Sequence, residues 1–111
     1  MILGTHVLDT VQGRPAQGMT VRLDHELASR GWRTVTATVT DADGRIHDFG
    51  GPLERPGVYR LVFDTGDYYR ARGVESWYPE VAVQMWLSGR GSTVHVPLLL
   101  SPYAYSTYRG S

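Results

Sequence analysis

The sequence contains no cysteine, which excludes disulfide bonds and thiolate chemistry and leaves the redox compartment open. It also has no excess of either charge, because eleven basic residues balance eleven acidic ones. A chain without net charge presents no overall field that attracts nucleic acid or an anionic membrane. No apolar run approaches the length of a membrane span, and the opening MILGTHVLDT lacks the features of a signal peptide. We therefore expect a cytoplasmic protein that binds neither nucleic acid nor membrane.

The length of 111 residues predicts a single domain, residues 1–111, with one modest core. A chain of this size is only marginally stable alone unless its core is efficient or it oligomerises. Three tryptophans and seven tyrosines are many for this length. We expect part of this aromatic surface to contact another subunit.

Alternation of apolar and polar residues dominates the chain and predicts β-strands. The segments with this pattern are THVLDTV, MTVRLDHEL, WRTVTATVT, GVYRLVFDT, EVAVQMWLS and TVHVPLLL. Turn-rich stretches such as DADGR and GPLERPG separate them. In WRTVTATVT the alternation places Val35, Ala37 and Val39 on one face. Many short strands with turns between them are typical of a β-sandwich.

One segment, GDYYRARGVESWYPE, departs from the alternation and predicts a short helix. Asp67 is suited to cap its start, because an aspartate side chain accepts hydrogen bonds from the free amides there. Gly73 is suited to end it, since glycine adopts the left-handed conformation found after a helix C-terminus. The residues alone therefore indicate an all-β protein with one short helix.

Two histidines are expected on sheet faces that point away from the core. In TVHVPLLL the alternate residues from Val94 to Leu100 form the apolar face, which leaves His95 on the opposite face. In THVLD the same parity places His6 opposite Val7. A surface that mixes histidine with leucine and proline suits a pocket wall or a subunit contact better than contact with water.

Spacing alone leaves the role of these histidines open. A strand histidine is most often a surface residue or a hydrogen-bonded partner, and a catalytic pair is the less common case. His25, His47 and Arg45 are expected to be ordinary polar residues on a strand, in a loop and after a turn. The sequence has no HExxH or CxxC metal motif, no GxSxG elbow and no phosphate loop.

Several segments together resemble a known family, 5-hydroxyisourate hydrolase, the transthyretin-related enzyme of purine breakdown. They are THVLDT, TDADGR, FDTGDYY with YPE, and HVPLLLSPYAYSTYRGS. The resemblance runs in order along nearly the whole chain, and the terminal YRGS is its most specific part. The related carrier transthyretin shares a similar stretch but lacks the two histidines, the arginine after the turn and the RGS ending.

Residue-by-residue matching to that family yields two groups of site residues. The positions that match the catalytic residues are His6, Arg45 and His95. The positions that match the terminal, substrate-binding tetrapeptide are Tyr108, Arg109, Gly110 and Ser111.

The resemblance implies a transthyretin-like β-sandwich of two four-stranded sheets with one short helix. It also implies a homotetramer with active sites at the dimer–dimer interface, and neither a cofactor nor a metal. The implied reaction is hydrolysis of the small molecule 5-hydroxyisourate to 2-oxo-4-hydroxy-4-carboxy-5-ureidoimidazoline. In that reaction two histidines would activate water and move protons, while Arg45 would stabilise an oxyanion.

Three other functions stay open at this point. The chain could carry aromatic ligands, as transthyretin does, in the same channel. The two histidines could bind zinc across subunits, because imidazole is a common zinc ligand. The sandwich could also be purely structural. Which histidine is the general base is not assigned by the sequence.

Overall fold

The computed structural model describes residues 1–110. Within that range, strands make up almost all of the regular structure, and a single short helix interrupts them. In chain order the elements are β1 (Ile2–Asp9), β2 (Arg14–Pro15), β3 (Thr20–Glu26), β4 (Trp32–Val39), β5 (Arg45–Ile46), β6 (Gly57–Phe63), α1 (Thr65–Arg70), β7 (Val81–Leu87), β8 (Thr93–Ser101) and β9 (Ala104–Thr107). The predicted all-β class with one short helix is confirmed.

The strands form two sheets that enclose the core between them. One sheet has the order β2–β1–β8–β9, with β5 also paired to β1, and the other has the order β4–β3–β6–β7. The first sheet holds five strands because two short strands, β2 and β5, pair with different parts of β1. β1 and β8 run parallel, and the other pairs are antiparallel. The predicted two-sheet sandwich is confirmed.

The core consists of inward-facing residues from both sheets. Its fully buried members include Leu3, Val7, Val21, Leu23, Leu61, Phe63, Leu98 and Leu100. Burying each such side chain contributes about 1.5–3 kcal/mol relative to exposure, before conformational entropy is subtracted. The alternation predicted for TVHVPLLL is confirmed, because the valines and leucines from Val94 to Leu100 that share one face all lie in this core.

The single face predicted for the apolar residues of β4 is wrong. The register between β3 and β4 shifts after Leu23, so that Thr36 lies opposite the buried Leu23. Cross-strand partners share a face, so Thr36 points to the core side and Ala37 points outward. Val35 packs against the core, whereas Val39 is 53% exposed. The irregular pairing thus reverses the parity halfway along the strand.

A short helix forms in the predicted segment, but its N-cap residue is not the predicted one. Asp64, not Asp67, occupies the N-cap position, and its side chain makes no capping hydrogen bond. Asp67 lies in the first turn, where a carboxylate interacts favourably with the N-terminal end of the helix dipole. Gly73 has a φ of 69° and its N–H donates to the Arg70 carbonyl at 3.1 Å, as expected of a helix end. No helix within residues 1–110 is long and apolar enough to cross a membrane.

Candidate active site

The outer face of the five-stranded sheet brings His6, Arg45 and His95 together. β1 lies between β5 and β8, and its His6 pairs with Arg45 on one side and Pro97 on the other. His95 precedes Pro97 by two residues, so both side chains share this face. The ring centroids of His6 and His95 are 6.4 Å apart, and the rings are tilted by 44°.

Both histidines point away from the core, as the alternation predicted. Thr5 and Val7, which flank His6, are fully buried, whereas His6 and His95 are half-buried. On the core side, the Thr5 hydroxyl donates to the Val96 carbonyl at 2.6 Å. This hydrogen bond adds to the parallel ladder between β1 and β8, whose register sets the spacing of the two imidazoles.

The turn TDADGR positions Arg45. Asp41 Oδ1 accepts the N–H of Asp43 at 2.9 Å and the N–H of Arg45 at 3.0 Å, and the Asp41 N–H donates to the Arg45 carbonyl at 2.9 Å. Gly44 has a φ of 72°, and a Cβ there would overlap the carbonyl oxygen of Val7. The tight turn therefore requires glycine, because only glycine lets it close against β1.

The C-terminal segment returns to His95. Gly110 forms an antiparallel bridge with His95, and its N–H donates to the His95 carbonyl at 2.7 Å. A Cβ at position 110 would lie 2.7 Å from His95 Cδ2, so the close approach requires glycine. Tyr108 and Arg109 are exposed. Ser111 lies outside the described residues, and its predicted role stays a prediction.

The pKa values of both histidines are lowered from their ordinary value. Burial is the largest cause for each, because it disfavours the charged imidazolium, and repulsion by Arg45 is the second cause. The charges of His6 and His47 lower the pKa of His95 further. Asp43 opposes the shift at His6 through a backbone hydrogen bond and its charge. Both imidazoles are therefore predominantly neutral at pH 7, the form that accepts a proton.

The Arg45 guanidinium makes no salt bridge within residues 1–110. In the same part of the chain, no group of three or more histidine, cysteine or carboxylate side chains is arranged to hold a metal ion. The face therefore combines two neutral imidazoles, which accept protons, with the charged guanidinium of Arg45, which offers several N–H donors.

His47 is the residue of this face that the sequence did not reveal. It lies outside the strands with a side chain that is 74% exposed, as expected of a loop residue, but its charge lowers the pKa of His95. The sequence offered only one signal, the apolar Ile46 between Arg45 and His47, and the structure buries this residue in the core. Residues on either side of a buried strand residue leave the strand on the same outer face, so Arg45 and His47 belong together.

A cavity lies on the other side of β8. It has a volume of about 340 Å³ and is lined by β7, by the core-facing Val94 and Val96, and by the segment from Thr107 to Arg109. Because His95 points the opposite way from its two valine neighbours, this cavity is not the histidine site. It opens between β7 and β9, the strands at one edge of each sheet.

Comparison with known proteins yields sequence relatives along the whole chain. A model of the HIUase/Transthyretin family matches residues 3–110. A mouse protein named 5-hydroxyisourate hydrolase is 46% identical over 111 residues, covering 98% of this chain and 94% of the mouse protein. A Pseudomonas aeruginosa protein of the same name is 43% identical over 115 residues, covering 98% of this chain and 90% of that protein.

Solved structures with the same fold include both a hydrolase and a thyroxine-bound transthyretin. The Klebsiella pneumoniae 5-hydroxyisourate hydrolase has a TM-score of 0.88 and 38% identity, with all of both chains covered. Sea bream transthyretin in complex with thyroxine has a TM-score of 0.93 and 31% identity, covering 99% of this chain and 95% of that one. Backbone similarity alone therefore does not separate a 5-hydroxyisourate hydrolase from a thyroxine-binding transthyretin.

Proposed function

Because the chain belongs to the HIUase/Transthyretin family, we propose that it hydrolyses 5-hydroxyisourate to 2-oxo-4-hydroxy-4-carboxy-5-ureidoimidazoline in urate degradation. The observation that carries the proposal is the proximity of the His6 and His95 rings, whose centroids are 6.4 Å apart, with Arg45 opposite His6 and its charge acting on both imidazoles. The names of the mouse and Pseudomonas aeruginosa relatives support the same activity.

The proposed reaction opens the six-membered ring at an acyl carbon–nitrogen bond. One imidazole takes a proton from water, and the water oxygen forms a bond to the acyl carbon. The carbon–nitrogen bond then breaks, and the leaving nitrogen keeps the electron pair and receives a proton from an imidazolium. The lowered pKa values of His6 and His95 support this assignment, because a base must be neutral before it accepts a proton.

Arg45 is proposed to stabilise the negative charge that develops on the acyl oxygen. Its planar guanidinium stays charged at all working pH values and offers several N–H donors to such an oxygen. Tyr108, Arg109, Gly110 and Ser111 are proposed to bind the flat, polar substrate ring. The hydrogen bond from Gly110 to His95 supports this role for Gly110, whereas Tyr108 and Arg109 line the cavity on the other side of β8.

We also propose a homotetramer with active sites at the dimer–dimer interface. The half-buried histidines lie on an open sheet face beside the half-buried Leu8 and Leu99, a mixture that a facing subunit would shield from water. Light scattering with size-exclusion chromatography should report four times the 12.4 kDa chain mass. A monomer at micromolar concentration would contradict this assembly.

The decisive test follows the ultraviolet absorbance of freshly generated 5-hydroxyisourate with and without the protein. We expect the decay to accelerate in proportion to protein concentration, and a decay at the spontaneous rate would refute the proposed hydrolase. A chelator should leave the rate unchanged, and loss of activity that added zinc restores would favour the zinc alternative.

A ligand carrier is the second candidate, because the thyroxine-bound sea bream transthyretin has so similar a backbone. Tight thyroxine binding without faster 5-hydroxyisourate decay would favour the carrier.

The predicted cytoplasmic location stays a prediction, which fractionation of the native cells would test.

A further inference from the structure

His47 follows Arg45 by two residues, immediately after β5 at the edge of the site. β5 pairs antiparallel with β1, with Arg45 opposite His6. Two residues further along, the same register places His47 beside Gly4. Ile46, between Arg45 and His47, lies in the core, so strand alternation directs both neighbours to the outer face. His47 lies just beyond the end of β5, and its side chain is 74% exposed.

Gly4 lets the backbone of His47 come close to β1. On its other side, Gly4 pairs with His95 of β8. A Cβ at position 4 would lie 2.9 Å from the Ile46 carbonyl oxygen and 3.2 Å from that of His47. Both separations are shorter than ordinary van der Waals contact, so a larger residue would push the chain after β5 away. His47 and His95 thus flank one glycine, which has no side chain to stand between them.

An acidic residue of the preceding turn lies beside His47. Asp41 Oδ2 is 3.6 Å from His47 Nε2, while Asp41 Oδ1 accepts the backbone N–H of Arg45. One carboxylate therefore contacts both the third histidine and the turn that delivers the arginine. Charged or titratable groups near these histidines also include Arg45 of β5, Asp43 of the turn and His6 of β1, and Asp48 follows His47 in the chain.

We propose that His47 is a positioning residue of this site, whose imidazolium charge acts across Gly4 to keep His95 in its neutral, proton-accepting form at lower pH. The inference rests on the proposed function, because it needs a proton-transfer role for His95. Its electrostatic basis agrees with the lowered pKa of His95, to which His47 contributes. The interaction acts over about 10 Å, two strand spacings, in surroundings open to water.

The test compares the wild-type protein with two substitutions at position 47. His47→Gln removes the titratable charge and keeps a hydrogen-bonding group, whereas His47→Arg makes the charge permanent. Arg30→Gln is the control, because it removes an equal charge from a side chain that is 84% exposed in the loop between β3 and β4 of the other sheet. Circular dichroism of each variant verifies that the fold is retained.

The direct measurement is an NMR titration of the His95 ring proton without substrate, with the resonance assigned by its loss in His95→Asn. We expect the His95 midpoint to rise by about 0.3 pH unit in His47→Gln, the shift for one charge near 10 Å in water. It should stay at or below the wild-type value in His47→Arg and be unchanged in Arg30→Gln. Higher salt should shrink the difference.

The limb of the kcat/KM pH profile that follows His95 should move with this midpoint. His47→Gln should shift the limb to higher pH, and His47→Arg should reverse the shift. An active enzyme whose His95 midpoint is the same in both variants would overturn the inference and leave the hydrolase standing. A shifted midpoint in a protein without hydrolytic activity would refute the hydrolase while the electrostatic coupling held.

Discussion

The outer face of the four-stranded sheet holds its charges in a closed network, whereas the outer face of the five-stranded sheet leaves its charges open. In the closed network Asp24 is only 1% exposed, and it accepts hydrogen bonds from Arg22 at 3.0 Å, Arg60 at 2.8 Å and Thr34 at 3.1 Å. The Arg60 guanidinium also lies 4.2 Å from the centre of the Trp32 ring. Every charge there has a protein partner.

The open face differs in the surroundings of its positively charged side chain, Arg45. Arg45 makes no salt bridge to the residues that the structure describes, and it repels protons from His6 and His95. A paired charge mainly stabilises the fold, whereas an unpaired guanidinium beside neutral imidazoles keeps its hydrogen-bonding capacity for a ligand. A charge does not by itself mark a site. On this face Arg45 combines the lack of a salt bridge within residues 1–110 with two neighbouring neutral imidazoles.

The largest expected effect is the loss of turnover when the open face loses an imidazole. His6→Asn or His95→Asn should each reduce kcat by about 10²–10⁴-fold, the usual contribution of a general acid or base. The free energy of unfolding should change little, since both rings are half-buried. His25→Asn, on the other sheet, is the activity control. Near-normal turnover in both site variants, measured on fresh 5-hydroxyisourate, would end the assignment.

The closed face should instead respond in stability. Asp24→Ala leaves Arg22 and Arg60 without their shared carboxylate, and we expect the free energy of unfolding to fall by roughly 2–3 kcal/mol. Urea denaturation at fixed protein concentration measures this loss. Turnover of the folded variant should remain normal. A stable Asp24→Ala protein with poor activity would break the contrast between the two faces.

Removal of residues 108–111 tests how far the open face extends. We expect kcat/KM to fall by about tenfold or more, because the truncated protein loses at least one hydrogen bond to the substrate. Gly110→Ala is the sharper companion, since its Cβ would collide with the His95 ring. Unimpaired activity after truncation would limit the tetrapeptide to a structural role.

Tyr69 tests whether an unpaired polar group alone is enough to mark a site. Its hydroxyl is buried with no hydrogen-bond partner among residues 1–110, and burial raises the pKa of that hydroxyl. Tyr69→Phe should therefore leave turnover unchanged and raise the free energy of unfolding by about 1 kcal/mol. Lower activity with an intact fold would extend the functional region to α1.

Acid should affect the two faces in different pH ranges, and this is the smallest expected effect. Because the pKa values of His6 and His95 are lowered by folding, the unfolded chain binds more protons, and stability falls as pH drops below about 6.5. Desolvation acts to raise the pKa of Asp24, but the hydrogen bonds from Arg60, Arg22 and Thr34 together outweigh it, and the pKa is lowered. Its contribution persists to about pH 4 and is lost only below that.

Stability measurements at several pH values separate these contributions. Relative to wild type, the His6→Asn, His95→Asn double variant should gain stability when the pH falls from 8 to 5.5. Asp24→Ala should show no comparable change over that interval. Parallel pH dependence in all three proteins would contradict the lowered histidine pKa values.

Strand parity explains why much of the site was predictable from sequence. A one-residue step along a strand reverses the face, so the buried Val94 and Val96 determine where His95 points. The same rule failed on β4, because the register shift after Leu23 depends on the pairing with β3. Parity in one strand carries no information about such a shift.

The site residues that strand alternation did not predict are positioned by contacts between distant segments of the chain. β5 has two residues, which is too few to display an alternation, so His47 could not be assigned a face without the buried Ile46. Gly110 reaches His95 because the hairpin of β8 and β9 folds the terminal segment back along β8. The sequence indicated this contact only through family resemblance. Short strands and close backbone contacts are visible only once the sheets are assembled.

The parallel pairing of β1 with β8 has a consequence for the folding of the protein. The Thr5–Val96 hydrogen bond joins residues 91 positions apart, whereas β3 and β4 pair through a short hairpin. Contacts across long loops form late, because the chain must lose much conformational freedom before they stabilise it. During refolding from denaturant, enzymatic activity should therefore recover after the hairpin has gained amide protection against hydrogen exchange.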